Sequence, residues 1–96
     1  MKAIYKLPGK DPEIIEAGND LATLQKLVGG YIETVTIASD TCIICNEEGR
    51  LLELQNNIIA FGRTIVGPIL IVGVDGDQFC DVLYPEFWMN EIKGGK

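Results

Sequence analysis

The chain has 96 residues, and its 14 acidic and 8 basic side chains give a formal net charge of −6 at pH 7. This charge opposes sequence-independent attraction to DNA, RNA and anionic lipid, so we expect neither a nucleic-acid partner nor a membrane partner. The length suits one domain, and a hydrophobic content of 47% argues against intrinsic disorder. We therefore expect a single folded domain over residues 1–96.

The composition and the N-terminal residues also exclude several classes of protein. Three cysteines are an odd number for a disulfide framework, and the absence of histidine removes the commonest general base and zinc ligand. No apolar run reaches the roughly 18 residues of a membrane span, and MKAIYKLPGK lacks the apolar core of a signal peptide. We expect reduced thiols, a cytoplasmic protein and no cofactor.

The first predicted unit is a β-hairpin. Residues 2–7 alternate between two faces and end at Pro8-Gly9, which favours a turn. Residues 13–17 form the return strand, because Pro12 at its start removes no ladder hydrogen bond from the strand interior.

A short amphipathic helix follows, predicted from Asp20 to Gly29. Asp20 can cap its first turn, with Asn19 as the alternative cap, and Gly29-Gly30 permits the positive φ common at a helix C-terminus. Helical spacing predicts one buried face made of Leu21, Leu24, Leu27 and Val28.

After the helix, every second residue falls on the same face of the chain, which predicts a strand over about residues 32–38. Its β-branched residues favour a strand, and we expect Val35 and Ile37 to face the core. The helix should then lie across one face of a mostly antiparallel sheet that contains this strand.

The next segment predicts a meander. Residues 41–46 form a strand, Glu47-Glu48-Gly49 a tight turn that needs a left-handed glycine, and residues 50–54 the return strand. Gln55-Asn56-Asn57 interrupts the pattern. Residues 58–63 remain open between a short helical turn and a loop held by Ile59 and Phe61.

The last third of the chain predicts a central strand, a hairpin and a helix. Residues 68–74 form a continuous apolar run, typical of a strand buried on both faces. Asp75-Gly76-Asp77 predicts a hairpin turn, with residues 78–84 as the partner strand. Pro85 begins a short helix over residues 86–92.

The predicted fold class is therefore α+β. A mostly antiparallel sheet is built from hairpin, helix, meander and hairpin, with one central helix on its face and a short C-terminal helix. Gly94-Gly95-Lys96 is expected to be a frayed tail.

Three segments carry a family resemblance. LQKLVGGYIETV at Leu24–Val35, NEEG at Asn46–Gly49 and GPILIVG at Gly67–Gly73 resemble a family of small proteins from phages, plasmids and Firmicutes. The family is defined by a domain of unknown function. The resemblance implies a mobile-element setting and transfers no catalytic residue. Cys42 and Cys45 lie outside the shared pattern.

The side chains with possible chemistry have simpler structural interpretations. Cys42 and Cys45 have redox or half-zinc-site spacing, but residues i and i+3 of a strand face opposite ways, so we expect two buried apolar thiols. The carboxylates lack a calcium-loop pattern or an enclosed site and fit exposed turns: Asp75, Asp77, Asp81, Glu47 and Glu48. We assign no catalytic residue and no metal ligand.

A small-ligand site is predicted around four side chains. Arg63 is the first cation we would choose for anion binding, Arg50 and Lys26 could neutralise further phosphate charge, and Tyr31 could stack on a base. Gly29-Gly30 is better explained as a helix C-cap than as a phosphate loop, because the C-terminal end of a helix dipole repels anions. An arginine that merely faces solvent is the simpler interpretation of Arg63.

The function predicted from these features is non-enzymatic binding. A mobile-element protein of this size would counter host defence by sequestering a nucleotide-type signal molecule or by blocking a host protein. The alternative is an acidic protein-interaction or nucleic-acid-mimic domain that uses Glu47, Glu48, Asp75, Asp77, Asp81 and Glu86. Phe87, Trp88 and Met89 predict a homo-oligomer interface.

Overall fold

A computed structural model describes residues 1–60 and 62–92 of the protein. In chain order its elements are β1 (Lys2–Lys6), β2 (Glu13–Glu16), α1 (Leu21–Val28), β3 (Ile32–Ala38), β4 (Thr41–Asn46), β5 (Asn56–Ala60), β6 (Arg63–Val66), β7 (Ile69–Asp75), β8 (Gln78–Cys80) and α2 (Pro85–Ile92). The predicted α+β class is confirmed. No helix in the described part of the chain combines the length and apolar character that a membrane crossing requires.

The strands form an antiparallel main sheet and a separate hairpin. The main sheet has the order β2-β1-β7-β4-β3, with β8 paired to β7 beyond the end of β1, and the second sheet is the β5–β6 hairpin. β7 is the central strand, as its continuous apolar run predicts, and Ile69 to Gly73 are buried.

The two faces of the main sheet have different covers. α1 covers a cluster that includes Ala3, Cys42, Ile44, Leu70 and Val72. The β5–β6 hairpin and α2 cover the other face, where Ile43 and Cys45 of β4 pack with Ile4, Ile69 and Ile71. Alternate residues of one strand therefore serve two cores, which explains why every residue of β4 is buried.

Helix α1 has the predicted caps. The Asp20 carboxylate accepts the Thr23 N–H at 3.0 Å, and Gly29 ends the helix in the left-handed region with φ 84°. The Asn46 side chain donates to the Val28 carbonyl at 3.1 Å. The first residue of the NEEG segment therefore satisfies a free carbonyl at the C-terminus of α1, where the VGG segment lies. Two separate parts of the family pattern thus meet at one helix terminus.

One residue of the predicted helical stripe is not buried. Leu24 and Val28 are buried and Leu27 packs beside them, but Leu21 is 57% exposed. Leu21 and Leu24 line an open concavity between the first turn of α1 and Phe79 of β8. The prediction that Leu21 is buried is wrong, because the first turn of α1 borders this open concavity and does not pack closely on the sheet.

The predicted strand over residues 50–54 is also wrong. This segment forms successive turns, in which Leu52 N–H donates to the Glu48 carbonyl and Leu54 N–H to the Gly49 carbonyl, both at 2.9 Å. β4 already has β3 and β7 on its two sides, so no third strand can pair with it. Gly49 is needed for close approach rather than for a left-handed turn, since a Cβ there would lie 2.6 Å from Val66 Cγ2.

The segment left open between a helical turn and a loop is a β-hairpin. β5 and β6 pair from Asn56 to Val66, and Ile58 and Ile65 point into the core. Phe61, which we expected to hold a loop, lies outside the described residues, as does the predicted tail at residues 94–96.

Strand β8 is shorter than predicted. It ends at Cys80, because β1 pairs with the remaining part of β7, and Val82 N–H donates to the Lys2 carbonyl at 2.8 Å. The Asp75-Gly76-Asp77 turn and the C-terminal helix are confirmed.

Candidate binding surface

The two arginines of the predicted ligand site are held by protein contacts. Arg63 Nη2 donates to Glu33 Oε2 at 2.7 Å, and this carboxylate raises the pKa of the arginine. Arg50 Nη2 donates to the Thr64 carbonyl at 2.7 Å. Both guanidinium groups therefore help to attach the β5–β6 hairpin to its surroundings.

Tyr31 precedes β3, the strand that carries the Glu33 partner of Arg63, whereas Lys26 lies in helix α1. The Tyr31 carbonyl accepts the Glu47 N–H at 2.8 Å, and the tyrosine side chain is exposed. Lys26 occupies the last turn of α1, on the sheet face opposite the β5–β6 hairpin. The fold thus brings Arg50 and Arg63 to one hairpin and separates Lys26 from them.

A more developed surface surrounds the start of α2; we call it the α2 surface and define it by Ile14, Tyr84, Phe87 and Trp88. Tyr84 has φ 55°, in the left-handed region, and precedes Pro85, whose ring disfavours a right-handed helical residue before it. The Tyr84 carbonyl accepts the Trp88 N–H at 3.3 Å and so begins the helix. Tyr84 is 72% exposed and Phe87 55%.

Three concavities adjoin the α2 surface. The most enclosed, of about 190 Å³, lies between β5, the main sheet and α2, where Trp88 and Glu91 face isoleucines. A second, of about 390 Å³, is lined by Ala38, Asp40, Tyr84, Phe87 and Trp88. A third, of about 320 Å³, is lined by Ile14, Tyr84, Pro85, Glu86 and Phe87.

The charged groups around these concavities have one sign. Among the described residues that line them, the ionisable carboxylates Asp40, Glu86 and Glu91 occur without a lysine or arginine. An apolar and aromatic floor with an acidic rim favours a ligand that carries both apolar and cationic groups.

The three residues of the predicted oligomer interface have different environments. Phe87 is exposed and meets Trp88 edge to face, with ring centroids 4.9 Å apart. Trp88 and Met89 are half-buried and pack against the core cluster of the hairpin side. Phe87 is therefore the residue most available to a partner, and self-association through this surface remains a prediction.

The core also contains a buried polar pair that was not predicted, Lys6 and Asn57. Lys6 is fully buried in β1, and its Nζ donates to Asn57 Oδ1 at 2.7 Å. Burial lowers the pKa of Lys6, while the Asp11 carboxylate opposes that shift. The burial of Lys6 could have been predicted from the alternation of β1, which places residue 6 on the same face as Ile4.

The cysteines have the predicted arrangement. Cys42 and Cys45 are buried on opposite faces of the main sheet, so they cannot share a metal ion or form a disulfide with each other. Burial raises the pKa of each thiol from 9.0 to about 11. Both are therefore poor nucleophiles at neutral pH.

The acidic side chains are divided between the two ends of the main sheet. Glu47 and Glu48 follow the end of β4, whereas Asp75 ends β7 at the opposite end of the sheet and Asp77 lies in the turn after it. The Asp81 carboxylate accepts the Lys2 N–H at 2.8 Å and belongs to the second end. Five of the six carboxylates named for nucleic-acid mimicry are thus divided between opposite ends of the sheet, and the sixth, Glu86, lies on α2.

These features define a small α+β domain in which a helix and a hairpin cover opposite faces of one antiparallel sheet. The model of DUF3846, a domain of unknown function, matches residues 1–91, and the chain belongs to this family. Comparison with curated proteins and with solved structures found no significant match. Family membership confirms the resemblance seen in the VGGYIE, NEEG and GPILIVG segments.

Proposed function

We propose that this protein is a non-enzymatic binding module that docks a basic, amphipathic segment of another protein on its α2 surface. The observation that carries the proposal is the combination of exposed Tyr84 and Phe87 with a rim of carboxylates. Aromatic side chains at the centre of a patch are the usual anchors of protein interfaces. In a mobile-element setting and a cytoplasmic location, the partner would be a host protein that the module blocks.

Charge supports a basic partner over an acidic one. The protein carries a formal net charge of −6, which attracts a cationic segment at long range, while Asp40, Glu86 and Glu91 supply local counter-charges. Apolar side chains of the same segment would cover Phe87 and Trp88. Association should therefore weaken as the salt concentration rises.

Peptide titration tests this proposal. The probes are a helical peptide of leucine and lysine and its counterpart with glutamate in place of lysine, and calorimetry measures the affinity. We expect binding of the lysine peptide alone, weakened at least about tenfold by Phe87→Ala. Leu51→Ala is the matched control, because Leu51 is 82% exposed and lies in the turns after β4.

Two outcomes would overturn the proposal. Equal affinity for both peptides, or equal effects of Phe87→Ala and Leu51→Ala, would show that the α2 surface does not select a basic segment. A thermal shift with a cyclic dinucleotide or an ADP-ribose derivative that Arg63→Ala abolishes would instead support nucleotide capture by Arg63, Arg50 and Tyr31. Such a ligand would have to displace Glu33 from Arg63.

A further inference from the structure

The two outer strands at the ends of the main sheet differ in how they resist pairing with another chain. β2 has four residues, follows Pro12 and begins and ends with glutamate, all of which discourage further pairing. β3 has seven residues and contains neither proline nor lysine. Its single charge, at Glu33, is neutralised by Arg63 at 2.7 Å. Residues 32–36 of β3 therefore lack these protections, and the irregularity between Thr36 and Ala38 affects only the end of the strand.

The register shows which backbone groups of β3 face outward. Tyr31 and Glu47 form a hydrogen-bonded pair, and such pairs alternate along an antiparallel ladder. Glu33 and Val35 consequently turn their backbone groups toward β4, opposite Cys45 and Ile43. The N–H and C=O groups of Ile32, Thr34 and Thr36 point the other way, where no described strand pairs with them.

The space beside this edge is open on the α1 side. Ile32 packs in the cluster under α1, and period-two alternation places Thr34 and Thr36 on the same face. Both threonine side chains are nevertheless exposed, so α1 does not extend over this part of β3. A strand from another molecule can reach residues 32–36 without moving the helix.

We propose that β3 pairs antiparallel with β3 of a second copy of this chain, about a two-fold axis at Thr34, so that two main sheets become continuous. This register pairs Ile32 with Thr36 and Thr34 with its own copy, and each pair exchanges both backbone hydrogen bonds. Threonine opposite threonine is a favourable cross-strand pair.

The neighbouring registers are less favourable. An axis at Glu33 would place two glutamates directly opposite each other, and like charges in that position are destabilising. An axis at Val35 would carry Ile32 opposite Ala38, beyond the irregularity that separates Thr36 from Ala38. The axis at Thr34 instead places Glu33 opposite Val35 and uses all three outward residues.

The net charge of the protein determines how dimerisation depends on salt concentration. Two copies, each with a formal net charge of −6, repel each other at long range. Added salt screens that repulsion and leaves the backbone hydrogen bonds intact. Dimerisation should therefore strengthen with salt, opposite to the docking of a basic segment on the α2 surface.

Sedimentation velocity across a concentration series tests the proposal. Thr34→Pro removes an outward N–H without removing a bond to β4, and Thr34→Lys places two lysines face to face at the axis. Each should weaken the dimer at least about tenfold while the circular dichroism spectrum is unchanged. Should Thr34→Pro not fold, Thr34→Lys still decides the matter, since Thr34 is exposed.

Phe87→Ala tests the rival interface at the α2 surface, and this variant should still form the dimer. A wild-type protein that stays monomeric up to its solubility limit would overturn the proposal. So would a dimer that persists in Thr34→Lys or that Phe87→Ala dissolves, because either result would place the interface away from β3. None of these results bears on peptide binding at the α2 surface.

Discussion

Asn57 holds the fully buried Lys6 and two backbone carbonyls at once. Its Oδ1 accepts from Lys6 Nζ at 2.7 Å, while its Nδ2 donates to the carbonyls of Lys6 at 2.9 Å and Gly67 at 2.7 Å. One side chain thus ties the start of β5 to the end of β1 and to the turn before β7. The hairpin that forms one wall of the most enclosed concavity is anchored here.

Replacement of Asn57 should strongly destabilise the fold. Asn57→Ala leaves the buried Lys6 ammonium group with one remaining hydrogen bond, to the Leu7 carbonyl at 3.5 Å. It also removes the side-chain donor of the Lys6 and Gly67 carbonyls. We expect the free energy of unfolding to fall by about 3 kcal/mol or more. Urea denaturation measures this, and the exposed neighbour Asn56 provides the control, since Asn56→Ala should cost far less.

Gly29 should be intolerant of a β-branched residue. Its φ of 84° lies in the left-handed region, and its N–H donates to the Gln25 carbonyl at 2.8 Å to end α1. Gly29→Val should destabilise the protein by about 1 kcal/mol or more. Gly29→Asn is the control, because asparagine tolerates this conformation better. Equal thermal stability of the valine variant and the wild type would contradict the assignment.

Gly49 and Val66 should be energetically coupled. A Cβ at residue 49 would lie 2.6 Å from Val66 Cγ2 and 3.4 Å from the Asn46 carbonyl oxygen. Gly49→Ala should therefore cost about 1–3 kcal/mol. In Gly49→Ala/Val66→Ala the loss should be smaller than the sum of the two single losses, as a double-mutant cycle would measure. Strict additivity would mean that the two side chains do not compete for space.

The buried thiols should make stability depend on alkaline pH. The pKa of Cys42 and of Cys45 is about 11 in the folded protein against 9.0 for a free thiol. Below pH 9 the stabilising contribution is complete, and it is lost as pH rises through 11, because the unfolded chain releases its thiol protons first.

The comparison with Cys42→Ala/Cys45→Ala isolates this effect. Denaturant titrations from pH 8 to 11 should show a steeper loss of stability in the wild type than in the double variant, whatever their difference at pH 8. Two other groups with altered pKa values, Lys6 with a lowered pKa and Tyr5 with a raised one, both shifted chiefly by burial, are common to both proteins. Parallel curves would contradict the assignment of raised pKa values to the two thiols.

The elements that the sequence predicted best have one dominant signal each. β3 and β4 have the predicted bounds, because β-branched and apolar runs end at clear turn residues. α1 combines a cap at each end with a helical period. β7 is recognisable from its apolar run alone.

The failures occur where a residue's role depends on a distant neighbour. Asn57 is typical of a turn by residue type, yet it is buried inside the β5 segment because Lys6 and Gly67 supply its partners. Residues 50–54 have the composition of a strand, but both sides of β4 are occupied. Local sequence propensity reveals neither the partners of Asn57 nor the strands on both sides of β4.

The candidate site shows the same limit. Residue type alone predicts Arg63 and Arg50 as ligand residues, but they contact Glu33 and the Thr64 carbonyl, and these contacts depend on how β6 packs. The short C-terminal helix that carries Phe87 was predictable, and Phe87 is exposed, but its part in an interface stays a prediction. The acidic rim contributed by Asp40 could not be foreseen, since it requires the end of β3 to lie beside α2.

Amide chemical-shift mapping with the leucine–lysine peptide tests the central claim most directly. If the α2 surface is the docking site, the largest shifts will fall on the residues that line its concavities, in particular Tyr84, Glu86 to Trp88, Ala38 and Asp40. Shifts centred on Tyr31 and Arg50, with Tyr84, Phe87 and Trp88 unaffected, would contradict the account and assign binding to the predicted nucleotide site instead.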